Sequence, residues 1–115
     1  MEHTENQDIL DSIREQIKAY PAILYMKGTP QFPQCGFSSR VVAILKGLGT
    51  PFAYINILQE PEIRANLPKV SDWPTFPQLF INGELVGGCD IIEELAEEGE
   101  LAPMFEGLEW PEDDA

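Results

Sequence analysis

Residues 22–57 read AILYMKGTPQFPQCGFSSRVVAILKGLGTPFAYINI and contain two strand patterns on either side of one helix pattern. Residues 22–26 form a short apolar run without helical period, which is typical of a buried strand. The helix pattern follows Cys35 and ends at Gly49, and its apolar face consists of Val41, Val42, Ile44, Leu45 and Leu48. Residues 52–57 predict the second strand. A strand, a helix and a strand in this order predict a right-handed parallel crossover.

The segment before this unit predicts a first helix. Ile9, Ile13 and Ile17 recur at every fourth residue between polar neighbours, which places one apolar stripe on a helix. Tyr20-Pro21 is expected to end this helix, because proline lacks the N–H group that continues a helical ladder. A solvated arm is the alternative for this segment.

The segment after the unit predicts a short helix and a hairpin. Pro61 opens the short helix at the first helical position, which proline favours. Residues 78–81 and 84–86 are apolar stretches that flank Asn82-Gly83. This dipeptide tolerates the positive φ angles of a two-residue turn, so it predicts a β-hairpin.

The C-terminal part predicts a last helix and then a tail. The helix is expected to run to Gly99, and its apolar residues are Ile91, Ile92 and Leu95. Residues 109–115 are rich in acid and proline, so we expect residues 1–108 to form one domain and residues 109–115 to be an acidic flexible tail. With 115 residues and 43% hydrophobic content, the chain has room for one core and not for two.

The charge balance is strongly acidic, with 7 Lys and Arg against 20 Asp and Glu and a net charge of -13. Such a field repels phosphate backbones and anionic lipid, so we expect neither nucleic acid nor a membrane surface as a partner. Residues 1–7 contain no Lys, no Arg and no apolar run, unlike a signal or transit peptide. No apolar run approaches the roughly 20 residues of a membrane span. The expected location is therefore the cytoplasm.

Cys35 is the residue best suited to chemistry. It lies between a strand-ending loop and a helix, where free N–H groups and the helix dipole favour an anion and lower the pKa of a thiol. A buried inert cysteine is the alternative. Two cysteines are too few for a disulfide-stapled scaffold or a structural zinc site, so a reactive thiol in a reducing compartment fits better. Ser38 occupies the position of the second cysteine in a dithiol motif, so another thiol must complete any redox cycle.

Three motifs lie at the starts or ends of the predicted elements, namely Cys35-Gly36-Phe37-Ser38, Trp73-Pro74-Thr75-Phe76-Pro77-Gln78-Leu79 and Gly87-Gly88-Cys89-Asp90. Together they resemble the single-domain monothiol glutaredoxins, and the likeness spans residues 21–98. The resemblance implies an α/β thioredoxin fold, in which helices flank a four-stranded mixed sheet, with the predicted N-terminal helix as an addition. It also implies a cis peptide bond before Pro77, facing the active cysteine.

The resemblance further implies that two cations bind glutathione. Lys27 would meet the glycine carboxylate of glutathione and stabilise the Cys35 thiolate, and Arg64 would be a second carboxylate partner. The residues themselves leave both roles open. Lys27 is otherwise a solvated surface charge, and Arg64 is otherwise part of a salt bridge on the helix surface.

The remaining glutathione contacts implied by the resemblance come from two segments. The backbone of Phe76 would pair with the cysteinyl part of glutathione as an added strand does, and Thr75 would add a side-chain contact. Cys89 and Asp90 start the last helix, where N–H groups can receive the γ-glutamyl carboxylate and Asp90 can pair with the ammonium group. Asp90 as a plain helix cap is the alternative.

The resemblance implies a [2Fe-2S] cluster held between two chains. Such a cluster takes about four ligands, mostly thiolates, and one exposed Cys35 cannot supply them. Two chains, each contributing Cys35 and one glutathione, can. The implied function is carriage of the cluster in iron-sulfur protein maturation by a cluster-bound homodimer. The implied partners are iron-sulfur recipient proteins and a BolA-like protein.

Two other functions stay open. One is glutathione-dependent reduction of mixed disulfides by Cys35, with a second glutathione as the resolving thiol. The loop at residues 29–34, a feature of the monothiol class, is expected to shift glutathione away from the best attack geometry. The other is a partner-binding regulator that shares the cluster, with Trp73 either as a contact or as a core aromatic. A disulfide between Cys35 and Cys89 under oxidation is also left open.

Overall fold

The computed structural model describes residues 5–111, so residues 1–4, and residues 112–115 of the predicted tail, lie outside the described residues. Within residues 5–111 there are five helices and four strands. In chain order they are α1 (Glu5–Ala19), β1 (Ala22–Met26), α2 (Gly36–Leu48), β2 (Ala53–Asn56), α3 (Pro61–Ser71), β3 (Gln78–Ile81), β4 (Glu84–Gly87), α4 (Cys89–Glu97) and α5 (Leu101–Met104).

The four strands form one mixed sheet in the order β2-β1-β3-β4. β1 and β2 are parallel and joined through α2, as the strand, helix and strand patterns predicted. β1 and β3 are antiparallel, and so are β3 and β4. The prediction of a four-stranded mixed sheet flanked by helices, with an additional N-terminal helix, is confirmed.

Side chains of β1 alternate between two apolar cores, one on each face of the sheet. Ala22, Leu24 and Met26 belong to the first core, which also contains apolar residues of α2 and α4. Ile23 and Tyr25 belong to the second core, which also contains apolar residues of α1 and α3. All five β1 side chains are fully buried. This burial on both faces explains why the run is apolar without alternation.

α1 packs on the second core and is not a solvated arm. Ile13 and Ile17 are 1% and 4% exposed, and they share this core with Leu67 of α3. Burying a side chain of this size contributes roughly 1.5–3 kcal/mol, so the stripe can hold the helix against the sheet. The predicted helix is therefore confirmed, and the alternative of a solvated arm is excluded.

The turn and helix-end residues adopt the backbone conformations that their types favour. Asn82 and Gly83 have φ angles of 53° and 83°, which confirms the two-residue hairpin turn. Gly49 ends α2 with a φ of 73°, a left-handed conformation that suits glycine. α3 begins at Pro61 and, despite Pro68 inside it, continues to Ser71.

The segment after α4 folds back onto the first core. Leu101 and Phe105 are buried in that core, and Leu108 and Trp110 pack against it. The domain boundary after residue 108 stays a prediction. None of the helices within residues 5–111 combines the length and apolar character needed to cross a membrane.

Candidate functional site

Cys35 is the residue immediately before α2 and caps that helix with its own sulfur. Its backbone is extended, with a φ of -153°, and its Sγ accepts a hydrogen bond from the N–H of Ser38 at 3.3 Å. The side chain is partly exposed. The sulfur therefore uses one of the free N–H groups of the helix start and remains accessible to a reaction partner.

The hydroxyl of Ser38 contacts both the backbone of Lys27 and the sulfur of Cys35. Ser38 is fully buried, and its Oγ accepts a hydrogen bond from the backbone N–H of Lys27 at 3.1 Å. The same Oγ lies 3.5 Å from the Cys35 Sγ. Because the hydroxyl already accepts from Lys27, its own proton is available to the sulfur when the thiol is ionised. Sequence reasoning missed this donor, because it considered Ser38 only as the position at which a dithiol motif has its second cysteine.

The surroundings of Cys35 lower the pKa of its thiol, in the predicted direction. Partial burial raises this pKa, but the hydroxyl and N–H of Ser38, the N–H of Phe37 and the charge of Lys27 together outweigh it. A larger fraction of the thiol is therefore ionised at neutral pH than in a free cysteine. The thiolate is the form that attacks disulfides and binds metal.

The loop between β1 and Cys35 is held by several local contacts. Gly28 has a φ of 93°, and a Cβ there would lie 2.5 Å from the carbonyl oxygen of Phe32, so only glycine fits. Thr29 and Phe32 exchange backbone hydrogen bonds at 3.0 and 3.2 Å. Lys46 of α2 donates from its Nζ to the carbonyl of Pro30 at 3.2 Å. These contacts hold the loop that leads from β1 to Cys35 in a defined conformation.

A cavity of about 540 Å³ lies beside the start of α2. Its size is within the roughly 300–1,000 Å³ of typical small-molecule sites. All six residues predicted to contact glutathione line it together, namely Lys27, Arg64, Thr75, Phe76, Cys89 and Asp90. Cys35 is not among the lining residues, but Phe37, two residues later, is one of them.

The two cations of the cavity are not neutralised by neighbours. Arg14 pairs with Asp11 and Arg40 pairs with Glu93, but among the side chains that the structure describes neither Lys27 nor Arg64 takes part in an ion pair. The salt bridge on the helix surface, left open for Arg64, is thus not formed in the described part of the chain. Both cations are available to an anionic ligand.

The cavity also contains the start of α4. Gly88 is the N-cap of this helix and provides no side-chain cap, while Asp90 lies inside the first turn. Asp90 is therefore not the plain helix cap that the sequence left open. The first N–H groups of a helix have no partner within it, so the start of α4 suits a carboxylate.

The loop before β3 packs closely against this helix start. The Phe76-Pro77 peptide bond is cis, as the resemblance implied. A Cβ on Gly88 would lie 3.2 Å from the Nε1 of Trp73 and 3.3 Å from the carbonyl oxygen of Pro77. Glycine at this position thus permits the close approach. Trp73 is partly buried and lines the cavity, so it is neither a full core residue nor a freely exposed contact.

Cys89 lies in a different electrostatic setting from Cys35. It is 7% exposed, and burial, together with the carboxylates of Glu93 and Asp90, raises the pKa of its thiol. Arg40 of α2 offsets this only in part, with its Nη1 4.0 Å from the Cys89 Sγ and 3.1 Å from Glu93. Sequence reasoning missed Arg40 and Glu93, because no local spacing relates residues of α2 to residues of α4.

Cys89 belongs to a group of three side chains with atoms that could bind a metal ion. Ligand atoms of Cys89, Asp90 and Glu93 lie within 4.8 Å of one another. However, Glu93 already pairs with Arg40, and the raised thiol pKa of Cys89 disfavours the thiolate that a metal requires. We therefore assign no metal to this group.

Comparisons with known proteins agree on one family. The family described as Glutaredoxin matches residues 22–86. Glutaredoxin 4 of Pasteurella multocida is 56% identical over 98 residues, which cover 85% of this chain and 90% of the relative. Glutaredoxin 4 of Escherichia coli is 53% identical over 96 residues, which cover 84% of each chain.

Solved structures give the same result for the fold. Reduced apo GrxS14 of poplar is 47% identical with a TM-score of 0.72, and the match covers 85% of this chain and 90% of that chain. A buckwheat glutaredoxin solved as a glutathione complex is 30% identical with a TM-score of 0.77, covering 90% of this chain and 94% of that chain. The predicted thioredoxin fold is thereby confirmed.

Proposed function

The chain belongs to the glutaredoxin family, in its monothiol class, and on that premise we propose that it binds glutathione and carries a [2Fe-2S] cluster between two chains. The observation that carries this proposal is that Cys35, a thiol whose pKa is lowered, lies beside a cavity with two cations that form no ion pair within residues 5–111. Ser38 supports it, because no second thiol of the motif competes for the Cys35 sulfur.

Glutathione suits the charges of the cavity. Lys27 and Arg64 would attract its glycine carboxylate, and the N–H groups at the start of α4 would receive its γ-glutamyl carboxylate beside Asp90. A cation about 4 Å from a carboxylate gains up to about 4 kcal/mol at an effective dielectric of 20. Charges beyond a Debye length of about 8 Å are largely screened, so local attraction can exceed repulsion by the net charge of -13. The related buckwheat protein, solved with glutathione, supports the assignment.

The donor set fits a shared iron-sulfur cluster. Iron-sulfur clusters take about four thiolate ligands, and the chain contains two cysteines. Cys89 is buried with a raised thiol pKa, whereas Cys35 is accessible with a lowered one. One chain thus offers one suitable thiolate, and a bound glutathione offers a second. Two such chains complete the four ligands, and the cluster is cargo that the dimer can release.

Docking of other proteins would occur around Cys35. Phe32 and Phe37, on either side of it in sequence, are 74% and 54% exposed, and exposed aromatic side chains are typical interface anchors. We assign this surface to iron-sulfur recipient proteins and to a BolA-like protein, in the cytoplasm. We keep residues 1–108 as the functional domain and residues 109–115 as an acidic tail, of which Trp110 packs against the first core.

Reduction of glutathione mixed disulfides is the second candidate function, and the lowered thiol pKa of Cys35 favours it. The Cys35 thiolate would attack the glutathione sulfur of a mixed disulfide, forming a Cys35-glutathione disulfide and releasing the other thiolate. A second glutathione thiolate would then break that bond, which yields glutathione disulfide and restores Cys35.

Two measurements on the wild-type protein test the proposal and rank the functions. Anaerobic reconstitution with iron, sulfide and glutathione should give the visible absorption of a [2Fe-2S] protein, and a colourless product would contradict cluster binding. Turnover of a small glutathione mixed disulfide should be slow. Rates close to those of a dithiol glutaredoxin would make the reductase the main function instead.

A further inference from the structure

Gln78 is a buried polar residue that holds the loop in front of β3. It is fully buried, and it lies opposite Tyr25 in the sheet. Its Nε2 donates to the carbonyl of Trp73 at 2.9 Å and to the carbonyl of Thr75 at 3.0 Å. Both hydrogens of the side-chain amide are therefore used within the segment that lines the cavity.

Few other contacts fix this segment. Pro74 and Pro77 have no N–H groups, and within residues 5–111 no backbone–backbone hydrogen bond outside the strands involves residues 73–77. The Oγ of Ser71 lies 3.5 Å from the Trp73 carbonyl, at the limit of a hydrogen bond. The amide of Gln78 is thus the main polar contact that orders the segment.

The hydrogen bond to Thr75 also fixes a peptide plane. In a trans peptide the carbonyl and the following N–H point to opposite sides. The Thr75 carbonyl points to the buried side chain of Gln78, so the N–H of Phe76 points away from the interior. Thr75 and Phe76 both line the cavity, and we place this N–H on the cavity side. No acceptor within residues 5–111 binds that N–H. It is a free donor on the cavity side.

We propose that Gln78 is a positioning residue for glutathione, whose amide fixes the Thr75–Phe76 peptide so that the Phe76 N–H is presented to the backbone of the ligand. This inference rests on the proposed glutathione site. A strand-like ligand gains affinity from main-chain hydrogen bonds, and a donor ordered beforehand avoids the entropy cost of ordering it on binding. Glutathione itself need not contact Gln78.

The chain offers a matched set of variants. Gln78→Met keeps the length of the side chain and removes its donors, and it also removes Oε1, which has no partner within residues 5–111. Gln78→Glu keeps one donor while its buried carboxyl is protonated and loses it on ionisation. Leu79→Val changes the next buried residue and leaves the donors intact, so it controls for general loss of stability.

Calorimetric titration with reduced glutathione tests the proposal. Gln78→Met should bind about tenfold more weakly than wild type, as expected for a lost well-oriented hydrogen bond, and Leu79→Val should bind like wild type. Relative to wild type, Gln78→Glu should bind well at low pH and progressively more weakly as the pH rises. If Gln78→Met or ionised Gln78→Glu binds as wild type does, the inference is wrong although the glutathione site stands.

Backbone relaxation of the ligand-free protein gives a readout that does not depend on glutathione. The amides of Thr75 and Phe76 should have order parameters near 0.85 in wild type and below about 0.6 in Gln78→Met, while Leu79→Val should match wild type. Equal order in wild type and Gln78→Met would overturn the positioning role. Absence of glutathione binding by wild type would instead overturn the proposed function.

Discussion

The starts of α2 and α4 each carry a cysteine, yet the two thiols differ. Cys35 at α2 has a lowered pKa, whereas Cys89 at α4 has a raised one. Both lie where a helix dipole favours an anion. A helix N-terminus is therefore not sufficient to activate a thiol.

The difference comes from the immediate neighbours. Cys35 is partly exposed and receives hydrogen bonds from Ser38 with the charge of Lys27 nearby. Cys89 is buried near the carboxylates of Glu93 and Asp90, and Arg40, which is paired to Glu93, offsets their effect only in part. The comparison predicts different chemistry for the two cysteines, and five substitutions, each with a measured outcome, test it in order of expected effect.

Replacement of each cysteine by serine gives the largest contrast. Cys35→Ser should abolish cluster reconstitution, because a serine oxygen is a harder and more basic ligand than a thiolate and holds this iron poorly. Cys89→Ser should still bind a cluster, because Cys89 is assigned a backbone contact. Iron and sulfide content and visible absorption measure the result. A stable cluster on Cys35→Ser would show that the ligand assignment is wrong.

Reversal of the cation beside Cys35 should have the next largest effect. Lys27→Glu should weaken glutathione binding about tenfold or more and reduce cluster retention with it, because attraction is replaced by repulsion. Calorimetry and the half-life of the reconstituted cluster measure the two effects. Lys69→Glu, an equal charge change at an exposed position outside the cavity lining, is the control. Equal behaviour of the two variants would make Lys27 an ordinary surface charge.

Removal of the Ser38 hydroxyl should weaken the activation of Cys35. Ser38→Ala should raise the pKa of the Cys35 thiol, since the thiolate loses a hydrogen-bond donor that stabilises its charged form. The pH profile of Cys35 alkylation should then move to higher pH in a Cys89→Ser background. Ser39→Ala, at an exposed position next in sequence, should leave the profile in place. An unmoved profile in Ser38→Ala would assign the lowered pKa to other neighbours.

The smallest expected effect concerns Cys89. Glu93→Gln should lower the pKa of the Cys89 thiol, because it removes a carboxylate that raises it and frees Arg40 for the sulfur. In a Cys35→Ser background, alkylation of Cys89 should begin at lower pH than in the parent. Glu94→Gln, on the exposed side of α4, should match the parent. The same shift in both variants would mean that overall charge, and not contact, controls Cys89.

The fold followed from local patterns, and the site followed from them only in part. The apolar run at residues 22–26, the Asn82-Gly83 turn and the Gly49 helix end adopt the predicted conformations because their causes lie within a few residues. The contact between Arg40 and Glu93 joins residues 53 positions apart, and no sequence period encodes it. The donor roles of Ser38 and Gln78 also depend on tertiary packing.

In the proposed holoprotein, two chains and two glutathiones share one cluster. Native mass spectrometry of wild-type protein, reconstituted anaerobically with and without glutathione, measures this stoichiometry directly. With glutathione, the holoprotein should have the mass of two chains, two glutathiones and one [2Fe-2S] cluster, and without any small thiol no cluster should form. A cluster on a single chain, or a full cluster formed without glutathione or a substitute thiol, would show that the cluster is not shared in this way.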